Sequence, residues 1–389
     1  MRNMWFLGML SLMVTTATAT PRWLDRALKH AASQSELLCQ QLDSVGTGRF
    51  PRSLDGDGRL TTSDAAWWCS GFSAGVFWQL YDVSRSQTLY AHALSLTRQL
   101  ESQQWNATTH DLGFMLFCSY GQAQRVASME GFERVLVNGA RTLAGRFNKT
   151  VGCIQSWDSW NWWQFPVIID NMMNLELLLW AAEHGGGDSL RAIAVSHADR
   201  TMKYHFRSDM SSYHVVSYRK DNGCVEFQGT NQGYSDSSAW ARGQTWGLYG
   251  YTVMYRFTRE PRYLRQAQQI ACFLLKHPNM PKDLIPFWDF SCSDYRDSSA
   301  AAVMASALLE LADYSSKKLA AKYRKVAVRQ LRELASPRYA APAGTHHGFV
   351  LMHGVGNYPA HSEIDVPLSY GDYYYVEALC RLRNYYLSR

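Results

Sequence analysis

The sequence predicts an all-α fold, and three observations carry that expectation. Apolar residues recur at helical spacing in segment after segment, strand-like alternation is almost absent, and twelve helical segments fall into six consecutive pairs. Six helical hairpins closed into a ring make an (α/α)6 barrel; an open array of helical pairs is the competing arrangement. The repeat is structural, about 50–60 residues long, without strong self-similarity in the residues themselves.

Residues 1–19 carry the marks of a signal peptide. Arg2 supplies a positive start, Trp5 to Val14 is a short apolar run, and Ala17-Thr18-Ala19 offers small residues for cleavage before Pro21. That run is too short to span a bilayer, and no later segment reaches about 18 uninterrupted apolar residues. A periplasmic or secreted location is therefore expected. The helices are then expected over 23–43, 65–80, 85–103, 110–121, 128–146, 168–184, 188–206, 239–257, 261–276, 298–314, 317–335 and 371–387. Leu89, Ala93, Leu96 and Leu100 line one helical face, as do Leu264, Ala267, Ala271 and Leu274. Tyr323, Val326, Leu331 and Leu334 make a third such stripe. Long connections over 44–64, 147–167, 207–238, 277–297 and 336–370 hold much of the Gly, Pro, Asp and aromatic content, which suggests a functional rim. No composition break divides residues 22–389, so they are read as a single domain.

Composition narrows the function classes. Hydrophobic residues make up 47% and charged residues 19%, which is the balance of a folded globular chain. The 14 Trp, 22 Tyr and 16 Phe exceed what packing needs, and flat aromatic faces suit pyranose rings. Net charge is +6 with the basic residues scattered, which argues against a nucleic-acid groove and permits mild attraction of an acidic small substrate. The eight Cys are widely spaced, and none has zinc-knuckle spacing; most are expected to be small buried hydrophobes.

Asp111, in Thr109-His110-Asp111-Leu112-Gly113-Phe114, stands where a helix should begin and reads either as a cap or as a functional acid. Asp170 lies in an apolar helix start after Pro166, where burial raises a carboxyl pKa and prepares a general acid. Asn171 or Asn174 is its expected orienting partner; a buried cap is the alternative. The densest polar constellation runs from Asn231 to Gly250. There Ser238, Arg242, Thr245 and Tyr249 share a helical side, Arg242 is placed to clamp a carboxylate or to neutralise an acid such as Asp236, and Trp246 is placed to stack on a sugar. Trp68 and the patch Trp157, Trp160, Trp162 and Trp163 are further sugar-stacking candidates or loop packing. Asp55-Gly56-Asp57-Gly58 lacks the acceptor series of a calcium loop and reads as a tight turn.

Four segments in order resemble the unsaturated glucuronyl hydrolases of glycoside hydrolase family 88. They are Thr-His-Asp-Leu-Gly-Phe at 109–114, Ile-Ile-Asp-Asn-Met-Met-Asn-Leu-Glu at 168–176, Gln232 to Gly250, and Ser-Glu-Ile-Asp-Val-Pro-Leu with Tyr-Gly-Asp-Tyr-Tyr at 362–375. The resemblance implies a six-hairpin (α/α)6 barrel and hydration of a vinyl ether without cofactor or metal. It implies unsaturated uronyl disaccharides and short oligosaccharides from polysaccharide lyases as substrates. Asp170 matches the family's proton donor and Asp111 its second essential carboxylate. His214, Gln232, Arg242 and Trp246 match its substrate contacts, and Trp68 and Trp157 its stacking tryptophans. Some relatives that accept sulfate carry Ser-x-x-Ser-x-Lys in the loop before the last helix; here Gly354 to Pro359 offers neither serine nor lysine, which implies a preference for unsulfated substrates. The related galacturonyl-rhamnose hydrolases and a non-catalytic sugar-binding protein are the rival readings.

Overall fold

The computed structural model describes residues 20–158 and 162–389. The signal peptide read over 1–19, and Trp160, lie outside the described residues. The helices are α1 (Arg22–Val45), α2 (Phe72–Ser84), α3 (Gln87–Gln99), α4 (Gln122–Ala127), α5 (Phe132–Ala144), α6 (Asn171–Ala181), α7 (Asp188–Tyr204), α8 (Ala241–Thr258), α9 (Pro261–Lys276), α10 (Ser298–Asp313), α11 (Lys317–Leu334) and α12 (Ser369–Leu387). A π-helix over Gly113–Gly121 runs directly into α4, and the two act as one element.

Burial sorts these elements into two layers. Helix α10 is buried without interruption from Ser298 to Ala312, and α8 from Ala241 to Met254, because their sequences are mostly apolar or small and the buried Arg242, Gln244 and Glu310 find partners within the fold. Helix α11 buries only Ala320, Tyr323, Ala327, Gln330, Leu331 and Leu334, one stripe of an otherwise charged surface. The inner layer is α2, the π-helix with α4, α6, α8, α10 and α12, each packed on the next, and α12 packs on both α10 and α2. That last contact closes the ring and decides for the (α/α)6 barrel over the open array. Two glycines set the inner spacing around α6. A Cβ on Gly113 would stand 2.6 Å from the Asn174 Cα, and one on Gly250 would stand 2.5 Å from the Met172 Cβ.

Each outer helix enters the next inner one through the rim that holds the long connections, so all inner helices start at that rim. Short turns make the return at the other end. The long connections are not plain loops: they fold into short strands that alternation did not reveal. Strands β1 (Phe50–Leu54) and β2 (Leu60–Ser63) pair, as do β3 (Phe147–Asn148) and β4 (Cys153–Ile154), and β8 (Gly354–Asn357) and β9 (Ser362–Val366). Strands β5 (Pro166–Ile168), β6 (Val215–Tyr218) and β7 (Val225–Gly229) form one antiparallel sheet. At two to five residues each, they are too short to display a period. The second helix also starts later than predicted, at Phe72, because residues 64–71 form turns that open with Asp64 Oδ1 accepting from the Ala66 amide at 3.0 Å.

Asp55 closes a tight turn between β1 and β2, its Oδ1 accepting from the Asp57 and Arg59 amides at 2.9 and 2.8 Å. All eight cysteines are unpaired; Cys39, Cys69, Cys118 and Cys153 are buried, whereas Cys224 and Cys272 are exposed. Among the described residues no helix is long and apolar enough to cross a membrane.

The far half of the barrel is filled by an ionic network. Glu310 accepts from Arg256 Nε at 2.7 Å and Nη2 at 3.1 Å, and Arg381 Nη1 approaches it to 2.6 Å. Arg256 also pairs with Glu176, and Arg381 Nη2 donates to the Tyr249 hydroxyl, which in turn bonds Glu377 at 3.0 Å. Burial pushes Glu310 upward, but the two guanidinium groups outweigh it and bring its pKa down to about 2.

Candidate active site

Strand pairing builds the centre of the site. Ile168 of β5 stands opposite Val215 of β6, and the Ile169 amide donates to the His214 carbonyl at 3.0 Å. That register places Asp170, one residue past the pair, beside His214. Asp170 then occupies the N-cap position of α6, with helical backbone angles and no capping hydrogen bond from its side chain. The cap alternative is thereby excluded. The residue is 8% exposed, and its Oδ2 has no hydrogen-bond partner. Burial raises its pKa, Arg242 lowers it and Asp111 raises it again, leaving it at about 7.

His214 is held in one tautomer. Its Nδ1 accepts from the Asn231 and Gln232 amides at 3.0 and 3.1 Å, so the proton of the neutral ring sits on Nε2. That nitrogen lies 3.6 Å from Asp170 Oδ2. Burial, then the charge of Arg242, holds the imidazole pKa well below its usual value, so the ring stays neutral. Asp111 is fixed by its neighbours: Thr109 Oγ1 donates to its Oδ2 at 2.8 Å, and His110 Nε2 lies 3.3 Å from its Oδ1. His110 is 1% exposed and was not among the sequence candidates. The helix-start reading of its segment masked it, although a histidine beside a candidate acid was a usable signal.

The expected partners of Asp170 do something else. Asn171 Nδ2 donates to the Ile154 carbonyl at 3.1 Å, and Asn174 Oδ1 accepts from the Phe114 amide at 3.0 Å, tying the π-helix to α6. Arg242 is 1% exposed, and its partner is Asp297 at 3.2 Å rather than Asp236. It also donates to the Val355 carbonyl and, at 2.5 Å, to the Gly356 carbonyl, so it fastens β8 to the inner barrel while its charge reaches Asp170. Gln232 Nε2 reaches the same Gly356 carbonyl at 3.4 Å.

The tryptophans divide. Trp246 is fully buried, its ring 5.3 Å from Phe114 and 5.4 Å from Tyr374, so in this structure its face is packed and its indole N–H is the part left unpartnered. That N–H faces Asp170 without meeting hydrogen-bond geometry, yet lowers the carboxyl pKa. Trp68 is half-buried on the other side of Phe114, 5.5 Å from it and 4.8 Å from Tyr370. Trp157 meets the His214 ring edge-on at 6.0 Å and stacks with Trp163 at 6.4 Å. The structure thus gathers Asp111, Asp170, Arg242 and Trp246, at the starts of inner helices, with His214 and Gln232 from the connection between α7 and α8, and Trp68 and Trp157 flank them.

A closed ring of helical hairpins with two acids at its open rim, one buried and protonated to neutral pH, defines a glycoside hydrolase of the (α/α)6 class. No family model matches the chain. It is 40% identical over 354 residues to an unsaturated glucuronyl hydrolase of Formosa agariphila, covering 88% of this chain and 87% of that protein. Among solved structures it is similar to an unsaturated glucuronyl hydrolase specific for heparin, with TM-score 0.90 and 45% identity over 93% of this chain and 97% of the other. A structure of UGL with dGlcA-Glc-Rha-Glc gives TM-score 0.86 and 29% identity, covering 92% and 96%. The chain belongs to the unsaturated glucuronyl hydrolase family, the family its four motifs resemble.

Proposed function

We propose that this chain hydrates the vinyl ether of a 4,5-unsaturated uronic acid at the non-reducing end of lyase-generated glycosaminoglycan oligosaccharides. One observation carries the proposal: Asp170 is a buried, uncapped carboxyl with a free oxygen and a pKa near 7, so it holds a proton at neutral pH and has nothing in the protein to give it to. Delivered to C4 of the ring, that proton leaves positive charge at C5 and the ring oxygen. The Asp170 carboxylate now stabilises this charge and takes a proton from the water that adds at C5. The hemiketal so formed opens, releasing the next sugar and a keto acid. Neutral His214 donates from Nε2 toward the reacting region, and Asp111 raises the proton affinity of Asp170. Both carboxylates serve one ring carbon pair, so the spacing rules of ordinary retaining and inverting glycosidases do not apply. The heparin specificity named for one similar structure supports a glycosaminoglycan source, and the dGlcA-Glc-Rha-Glc named for another supports an unsaturated uronic acid at the chain end. Loss of the ultraviolet absorbance of the conjugated double bond, on a panel of lyase-generated disaccharides, tests the reading. Turnover of unsaturated galacturonyl-rhamnose alone would replace it.

The pH dependence follows from the same carboxyl. The acid form of Asp170 is required, so kcat/KM should fall about tenfold per pH unit above about 7. A profile that stays flat to pH 9 contradicts the assignment.

The finer preference is for unsulfated substrates. The carbonyls of Val355 and Gly356 are taken by Arg242, and the cation brought near this strand, Arg52, is paired with Glu363 at 2.5 Å. Arg338 is engaged elsewhere, with Asp283 and Glu333. Arg52 and Arg338 are thus committed to other partners, which leaves Lys282 as the cation the sequence offers on a neighbouring loop; on this reading kcat/KM should be about tenfold higher for unsulfated than for 6-sulfated chondroitin disaccharide. Export to the periplasm or medium completes the proposal, on the evidence of the sequence over 1–19; N-terminal sequencing of the secreted protein checks it.

A further inference from the structure

Beside the site, three tyrosines and a tryptophan from three connections meet on one ledge of the rim. Trp288 and Tyr358 stack with centroids 4.4 Å apart and planes 15° from parallel. Tyr295 joins Tyr358 at 5.9 Å, and Tyr234 joins Trp288 at 6.4 Å. Trp288 is buried beneath, whereas Tyr234 is 62% and Tyr295 37% exposed. Single exposed aromatics need no explanation, but a fixed group of them does.

The ledge is rigid and continuous with the reaction centre. The Trp288 carbonyl accepts from the Ala241 amide, the residue before Arg242, at 2.9 Å. Trp288 Nε1 donates to Asp294 at 2.9 Å. Asp289 accepts from the Tyr234 amide at 3.0 Å, which fixes the segment that also supplies Gln232. Tyr358 follows two residues after Gly356, the strand position that Arg242 and Gln232 both hold. The reaction described above uses none of these rings.

Resting on the functional reading above, we infer that this ledge is a distal sugar subsite, which binds a pyranose of the chain beyond the first sugar on the reducing side. An unsaturated residue occurs at the non-reducing end, so the rest of a longer substrate has one direction in which to leave the site. Pre-fixed aromatic faces accept the apolar C–H surface of a pyranose at little entropic cost, since their rotamers are already set by stacking. The ledge therefore makes the enzyme sensitive to chain length.

The test compares the unsaturated disaccharide and tetrasaccharide from hyaluronan lyase digestion, at steady state. The wild type should show kcat/KM about three- to tenfold higher on the tetrasaccharide, the range that one aromatic contact supplies. Tyr234→Ala, at the most exposed ring, and Tyr295→Ala should each bring that ratio toward one while leaving disaccharide turnover unchanged. Should Tyr295→Ala also lower disaccharide turnover by loosening Tyr358, Tyr234→Ala decides. A wild-type ratio of one, or a ratio unaltered in Tyr234→Ala, overturns the inference. Absence of turnover on the disaccharide by the wild type would instead overturn the functional reading.

Discussion

Asp170→Asn is expected to lower kcat by about 10²–10⁴-fold while the protein remains folded. An amide neither delivers the proton to C4 nor takes one back from water, and no other described carboxyl shares the position at the start of α6. Stability should move the other way. Burial raises the folded pKa of Asp170 from 3.8 to about 7, so the native state holds a proton that the unfolded chain releases. Its contribution is therefore lost as pH rises from about 4 to 7, and above that range the native state carries a buried charge. The asparagine variant escapes that cost and should melt at a higher temperature than the wild type at pH 8. Steady-state kinetics beside a thermal melt checks both halves; retention of more than about a tenth of the wild-type kcat rejects the assignment. Asp111→Asn should be nearly as damaging to kcat, because Asp111 helps keep Asp170 protonated.

Arg256→Met is expected to cost about 1–3 kcal/mol of stability, less than the loss of one partner from a fully buried ion pair because the Arg256 side chain is 27% exposed. The substitution strands Glu176 and removes two of the hydrogen bonds to Glu310, leaving Arg381 as the remaining cation of the network. The sign with pH is specific. In the wild type Glu310 is held at about 2, so its favourable contribution is present above its ordinary pKa of 4.5 and fades as pH falls toward about 2. The gap between wild type and variant should thus be full at pH 7 and narrow in acid. Urea unfolding at pH 7 and pH 3 measures it, and equal midpoints at pH 7 would show that the network contributes nothing.

Helical periodicity gave the barrel its elements, because inner and outer helices differ in how much of their circumference is apolar, as α10 and α11 show. It also picked out Asp170, since a charge in an apolar helix start needs a reason. What stayed hidden depended on long-range pairing. The β5–β6 register that sets His214 beside Asp170 joins residues more than forty positions apart in strands too short to show alternation. Arg242 was legible as a functional cation, but its true partner, Asp297, lies 55 positions away on the start of α10, and the nearer Asp236 was the natural guess. Trp246 reads as a sugar platform by residue type alone; only packing against Phe114 and Tyr374 shows that its face is already covered. The motif resemblance supplied what periodicity lacked, the order of catalytic segments around the ring.

The charged plug in the lower barrel has a kinetic consequence. Arg256, Glu310 and Arg381 interlock among the inner helices at the end of the barrel away from the rim, so substrate is expected to enter and leave on the rim side. Substrate arrives unsaturated end first, and both products depart by the route it came. The released sugar, on the rim side of the unsaturated residue, is expected to leave before the keto acid. An ordered exit is then expected, with the keto acid released last and inhibiting competitively against substrate.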